Sequence, residues 1–109
     1  MAVEQGSLIL PYVTWASATF VTIPAAQWER VYGSLQALKA HVQEYPGCQK
    51  LEAFIALEEN GDMRVHCYTV WDTPEQLEAF LERGYTFDRM LKGVSNIAAE
   101  PTRVMEKVF

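Results

Sequence analysis

The stretch from residue 48 to residue 71 constrains this chain more than any other. Two runs, 48–59 and 63–71, alternate in character, and Asn60-Gly61-Asp62 separates them. Asn-Gly between alternating runs is a strong hairpin signal, because tight hairpin turns need positive φ. One run carries Leu51, Ala53, Ile55 and Leu57 at alternate positions, and the other carries Met63, Val65, Cys67, Thr69 and Trp71. A slip of one residue would exchange the faces of either strand. Pairing the two sets keeps charge out from under any covering helix. The opposite register buries Arg64 and His66, which is costly without partners. The first register is therefore expected. It places Glu52 and Glu58 on the outer face with Arg64 and His66, so His66 is expected in an ion pair at the surface or at an interface.

The flanks supply helices. Thr73 with Gln76 reads as a capping box, and Pro74 suits the first helical position. Leu77, Phe80 and Leu81 form the apolar stripe, Gly84 is the stop, and residues 85–92 read as another helical turn or two carrying Phe87, Met90 and Leu91. Upstream, YVTWASATFVT at 12–22 is rich in β-branched and aromatic residues and reads as a strand. Pro24 suits the first turn of a helix. The apolar positions Trp28, Val31, Tyr32, Leu35, Leu38, Val42 and Tyr45 then recur at three- and four-residue steps as one helical stripe, which Pro46-Gly47 ends. The tail from Thr102 to Phe109 alternates as a last strand. The expected fold is α+β, a ferredoxin-like β-α-β-β-α-β order with an antiparallel sheet. Residues 1–11 are expected to form an N-terminal arm or a short extra strand, and 12–109 a single domain.

The chain has 109 residues, half of them hydrophobic and 12% aromatic, enough apolar material for a core. A chain this short leaves apolar strand surface uncovered, which favours a second copy. Phe54, Ala56, Tyr68 and Val70 fall on the outer sheet face, so a homodimer through Phe54, Tyr68 and Val70 is expected. The net charge is −5, and the nine basic residues form no cluster. Nucleic acid and anionic membrane surfaces are therefore disfavoured as partners. No run approaches the ~18 apolar residues of a membrane span. The start, MAVEQGSLILPY, lacks the basic character of a signal peptide. Cys48 and Cys67 match no metal spacing and lie too far apart along the hairpin for a disulfide, which suits a reducing, cytoplasmic setting.

Pro46-Gly47-Cys48 and the run Tyr68-Thr69-Val70-Trp71-Asp72-Thr73-Pro74-Glu75-Gln76-Leu77-Glu78-Ala79-Phe80 resemble the antibiotic-biosynthesis-monooxygenase-like family of dimeric α+β barrels. The resemblance covers residues 12–109. It implies cofactor-free oxygenation of a phenolic or quinol-like substrate, with haem degradation in other branches. Trp71 matches the tryptophan that lines the cavity in several branches. Where many members carry histidines on the following helix, this chain has Phe80 and Tyr85. Of the haem-degrading set of asparagine, tryptophan and histidine, only the tryptophan has a counterpart.

The expected cavity lies between sheet and helices, takes a small aromatic molecule, and needs no cofactor or metal. Trp71, Tyr85 and Arg89 are the candidate catalytic residues. A tyrosine hydroxyl or a guanidinium at the cavity mouth can hold a phenolate or carboxylate. Thr69, Cys67, Tyr32, Trp28 and Phe80 are the candidate substrate contacts, although Trp28 and Tyr32 equally fit the helix core. His41 is expected half-exposed at the edge of the stripe. Two functions compete: a cofactor-independent monooxygenase, and a non-catalytic dimeric module that binds a small aromatic molecule or a protein. An RNA-recognition module shares the strand order, but Glu52 and Glu58 on the outer face oppose it.

Overall fold

The structure, a computed structural model, describes residues 14–94 and 96–108. The expected arm, the first two residues of the expected first strand and the last residue of the tail lie outside the described residues. Strand β1 (Trp15–Pro24) leads through a 3-10 turn (Ala25–Gln27) into helix α1 (Trp28–Val42). The hairpin follows as β2 (Cys48–Leu57) and β3 (Asp62–Trp71), then α2 (Pro74–Arg83), the short α3 (Phe87–Met90), β4 (Ala98–Ala99) and β5 (Arg103–Glu106). The sheet order is β2-β3-β1, with β4 and β5 both pairing with the far side of β1, and every pairing is antiparallel. This is the expected α+β, ferredoxin-like arrangement.

The hairpin takes the expected register: Leu51 opposes Thr69, Ala53 opposes Cys67, Ile55 opposes Val65 and Leu57 opposes Met63. Gly61 has φ +92°, and the Asn60 side chain accepts the Asp62 N–H at 2.9 Å. The turn chemistry and the apolar pattern thus agree on one pairing. The core lies where α1, α2 and α3 cover β1 and β3. Val21 and Ile23 from β1, Val65 and Trp71 from β3, and Leu38, Phe80 and Phe87 from the helices are all buried there. Among the described residues, no helix is long and apolar enough to cross a membrane.

Several expectations need correction. The helices leave most of β2 uncovered, so Ala53, Ile55 and Leu57 are exposed on the helix-side face, while Leu51 is half-buried against the core. Pro24 ends β1 with extended backbone, φ −64° and ψ 140°, and the 3-10 turn starts one residue later. At the end of a strand its missing N–H breaks no interior ladder bond. Helix α1 stops at Val42 rather than Tyr45. The Glu44 and Tyr45 N–H groups reach back three residues, to His41 O at 3.1 Å and Val42 O at 3.0 Å, tightening the chain into a turn. The last strand forms within the expected tail as β5, and a short piece that was not expected, β4, precedes it across Pro101, which has no N–H to pair. Thr102 spans the break by bonding its hydroxyl to that of Thr19 at 2.8 Å.

Half of the capping box forms. Thr73 Oγ1 accepts the Gln76 N–H at 3.2 Å. The Gln76 side chain turns instead against Gly47, where φ is +91° and a Cβ would overlap the Gln76 amide. Gly84 ends α2 without the left-handed backbone of the usual glycine stop, at φ −88° and ψ −179°. Glycine is required there by contact: an added Cβ would lie 2.6 Å from the Phe80 ring.

Candidate functional site

On β1 the positions facing the helices include Ser17 and Thr19, between Trp15 and the apolar pair Val21 and Ile23. Ser17 opposes Thr69 and Thr19 opposes Cys67 across the β1–β3 ladder. A strand that places hydroxyls under a helical layer must satisfy them locally. Here they satisfy one another. The Trp71 indole donates its Nε1–H to Thr69 Oγ1 at 2.8 Å, and Thr69 Oγ1 shares a hydrogen bond with Ser17 Oγ. Thr69 accepts the indole proton, so either its own hydrogen goes to Ser17 or Ser17 donates to it. One hydroxyl hydrogen of the pair is then left over for a further acceptor.

Above this floor sit Leu38 of α1, Phe80 of α2, and Thr86 and Phe87 at the start of α3. Together with Ser17, Thr19, Cys67 and Thr69 they enclose a cavity of about 10 Å³, the space of about one water molecule. Trp71 is fully buried and stacks on Phe80, ring centroids 5.1 Å apart at 29°. The indole is therefore held both by its plane and by its N–H. Burial pushes the Cys67 thiol up to about 12, so it stays protonated and un-nucleophilic at neutral pH. The lining consists of hydroxyls, a thiol and apolar groups. It can orient a ligand oxygen by hydrogen bonds and exclude water from it, but no lining side chain is an acid or base of ordinary strength.

Among the expected site residues, Trp71, Thr69, Cys67 and Phe80 come together here. Trp28 and Tyr32 do not. They pack on each other, ring centroids 5.7 Å apart, and half-exposed Tyr32 borders a separate 380 Å³ groove between α1 and β2. Tyr85 is 58% exposed and does not line the cavity. Arg89 is exposed, and its Nη1 donates to the Gly84 carbonyl at 2.9 Å. That bond closes the loop on itself rather than offering the guanidinium to a ligand. Ser17, Thr19, Thr86, Leu38 and Phe87 were missed by the sequence reading. Ser17 and Thr19 were findable, since they share one parity in β1 with Val21 and Ile23. Thr86 carried no such pattern. A further groove of 190 Å³ lies between Trp15, Pro74, Leu77, Leu81 and Val104.

The outer face also differs from expectation. His66 packs on Phe20, ring centroids 4.8 Å apart, and lies 3.5 Å from the Tyr68 hydroxyl, with no ion pair among the described residues. Arg64 takes Glu100 as its partner at 2.7 Å and lies over the Phe20 ring, while Glu52 pairs with Lys50 at 3.7 Å. The tail strand delivered Glu100 to a position that the hairpin pattern alone did not reveal. Val70 is only 8% exposed, so Phe54, at 55%, carries more of that face's free apolar surface. Among the described residues, no cluster of His, Cys, Asp and Glu is able to hold a metal ion.

No family model matches the sequence, and no curated protein matches it either. Solved structures do match in fold. A dimeric ferredoxin-like protein from an uncultured marine organism aligns with a TM-score of 0.68 at 14% identity, covering 89% of this chain and 97% of that one. A candidate antibiotic biosynthesis monooxygenase from Nitrosomonas europaea aligns with a TM-score of 0.64 at 14% identity, over 92% and 93% of the two chains. Another from Bacillus cereus gives 0.61 at 14%, over 89% and 95%. At such identities the likeness speaks for the fold and leaves the chemistry to the site. The chain thus has the ferredoxin-like α+β fold and resembles, in fold, the structures named as antibiotic biosynthesis monooxygenases.

Proposed function

We propose that the protein is a cofactor-independent monooxygenase acting on a small phenolic or quinol-like substrate bound in the hydroxyl-floored cavity. The observation that carries this reading is the buried chain from Trp71 Nε1 to Thr69 to Ser17, under the Phe80 and Phe87 rings. It offers a hydroxyl donor to a phenolic oxygen and apolar walls to an aromatic ring. A phenol plus dioxygen gives a quinone plus water. One oxygen atom enters the ring, the other leaves as water, and all the electrons come from the substrate. No external reductant is needed. The cavity lacks a general base among its lining side chains, so the substrate must ionise readily or lose its proton to solvent on entry. A phenolate oxygen held by the leftover hydroxyl hydrogen would then be stabilised away from water.

The second reading is a non-catalytic binding module of the same fold, favoured by that missing base. Aerobic and anaerobic incubation with a panel of quinols separates the two. Oxygen-dependent consumption that Thr69→Val diminishes is expected for the oxygenase. Thermal stabilisation by the same compounds with no chemical change would replace it with the binding module. Assembly as a homodimer through the outer sheet face belongs to either reading. Support comes from the exposed Phe54 against Tyr68, which in turn meets Phe20, and from a fold neighbour that is itself dimeric.

A further inference from the structure

A cavity of about 10 Å³ admits no aromatic ring without movement of a wall. Its floor is fixed in the sheet, and Leu38 and Phe80 belong to helices with buried stripes. The remaining walls are Phe87, buried in the core, and Thr86, in the short link between α2 and α3. That link is secured to its flanking helices by Gly84 N–H to Phe80 O at 2.7 Å, Arg89 to Gly84 O at 2.9 Å, Met90 N–H to Thr86 O at 3.0 Å, and Thr86 Oγ1 to the Asp88 carboxylate. Among the described polar contacts, one alone ties it across to α1. The Tyr85 backbone N–H donates to His41 Nε2 at 2.9 Å.

We propose that His41 is a positioning residue for the candidate site: its neutral imidazole latches residues 84–86 over the cavity, and its protonation releases them. The inference rests on the reading of that cavity as the ligand site. A neutral imidazole with Nε2 as acceptor carries its proton on Nδ1. Adding a second proton turns Nε2 into a donor that faces another donor. Histidine is the side-chain type whose charge can change between about pH 5 and pH 8. The groups around the ring are Tyr45 beyond the end of α1 at 5.3 Å, Tyr85 at 5.6 Å and Phe80 of α2 at 6.1 Å between centroids. No carboxylate among the described residues forms an ion pair with it. Of the charged groups in the link, Asp88 is bonded to Thr86 and Arg89 to Gly84. Phe87 and Leu91 stay buried in the core, so the opening is confined to 84–86.

The test reads the link directly and needs no ligand. Hydrogen exchange of the Tyr85 amide is followed in the full chain from about pH 8 to about pH 5 and expressed as a protection factor. Protection is expected to fall by roughly three- to tenfold in the wild type, the factor corresponding to one net hydrogen bond. In His41→Gln, whose Oε1 accepts at either pH, protection should stay level. Protection that is unchanged in the wild type, or that falls equally in His41→Gln, overturns the latch. Labelling of Cys67 in a Cys48→Ser background at about pH 8 gives a second readout. His41→Leu should be labelled faster and His41→Gln at the wild-type rate; equal rates in all three also overturn it. Since neither measurement involves substrate, failure of the latch is distinguishable from failure of the oxygenase reading.

Discussion

Thr69 is the residue on which the site's polar order depends. Its hydroxyl takes the Trp71 indole proton and pairs with Ser17. Thr69→Val preserves shape but strands both groups in a dry place, so unfolding free energy should drop by about 1–3 kcal/mol. Thr69→Ser keeps the hydroxyl and removes a methyl group, and should cost about 1 kcal/mol or less. Urea denaturation of the two variants checks the order. Cys67 makes a separate prediction. Its thiol is held up at about 12 against 9.0 for the ordinary group, because burial disfavours the thiolate. The unfolded chain therefore releases this proton first as pH rises. The native state's advantage is fully present below 9.0 and is progressively lost between 9.0 and about 12. Stability curves of the wild type and Cys67→Ala should converge or cross over that window if the thiol is the cause. A constant difference across it would show that it is not.

At the scale of elements, two glycines that look alike in sequence should respond in opposite ways. Gly33 sits within α1 with nothing within 4 Å of an added Cβ, so Gly33→Ala should stabilise by about 0.5–1 kcal/mol. Gly84 sits against Phe80, so Gly84→Ala forces that ring from its place on Trp71 and should destabilise by about 1–3 kcal/mol. Thermal unfolding distinguishes them by the sign of the shift. The contrast marks what the sequence could and could not disclose. Asn60-Gly61 and the alternating runs revealed the hairpin and its register because turn chemistry and burial agreed there. Thr73 and Pro74 revealed the start of α2 because capping is a local property. Where α1 stops depended on a tightened turn, and the bare side chains of β2 depended on where the helices lie across the sheet. Neither is written in a local pattern. The same holds for the site. Trp71, Thr69, Cys67 and Phe80 followed from strand parity and the helix stripe, whereas His41 reaches the segment holding Thr86 through the Tyr85 N–H, a contact between residues 41 and 85 that no spacing announces.

At the scale of the molecule, the sheet has two faces with different work. The outer one carries Phe20, Phe54, His66 and Tyr68 in edge and tilted contacts, with Arg64 held by Glu100. If two copies meet there, Phe54→Glu should shift sedimentation from dimer toward monomer at micromolar concentration while the circular dichroism stays native. The inner face carries the hydroxyl floor, and the central claim is that a ligand belongs on it. The most direct measurement is chemical-shift mapping of the full chain with a panel of small phenols and quinols. Perturbations are expected to centre on Ser17, Cys67, Thr69, Thr86 and Phe87, and to vanish in Thr69→Val. Perturbations confined to Phe20, Phe54 and Tyr68, or to the groove between α1 and β2, would contradict it.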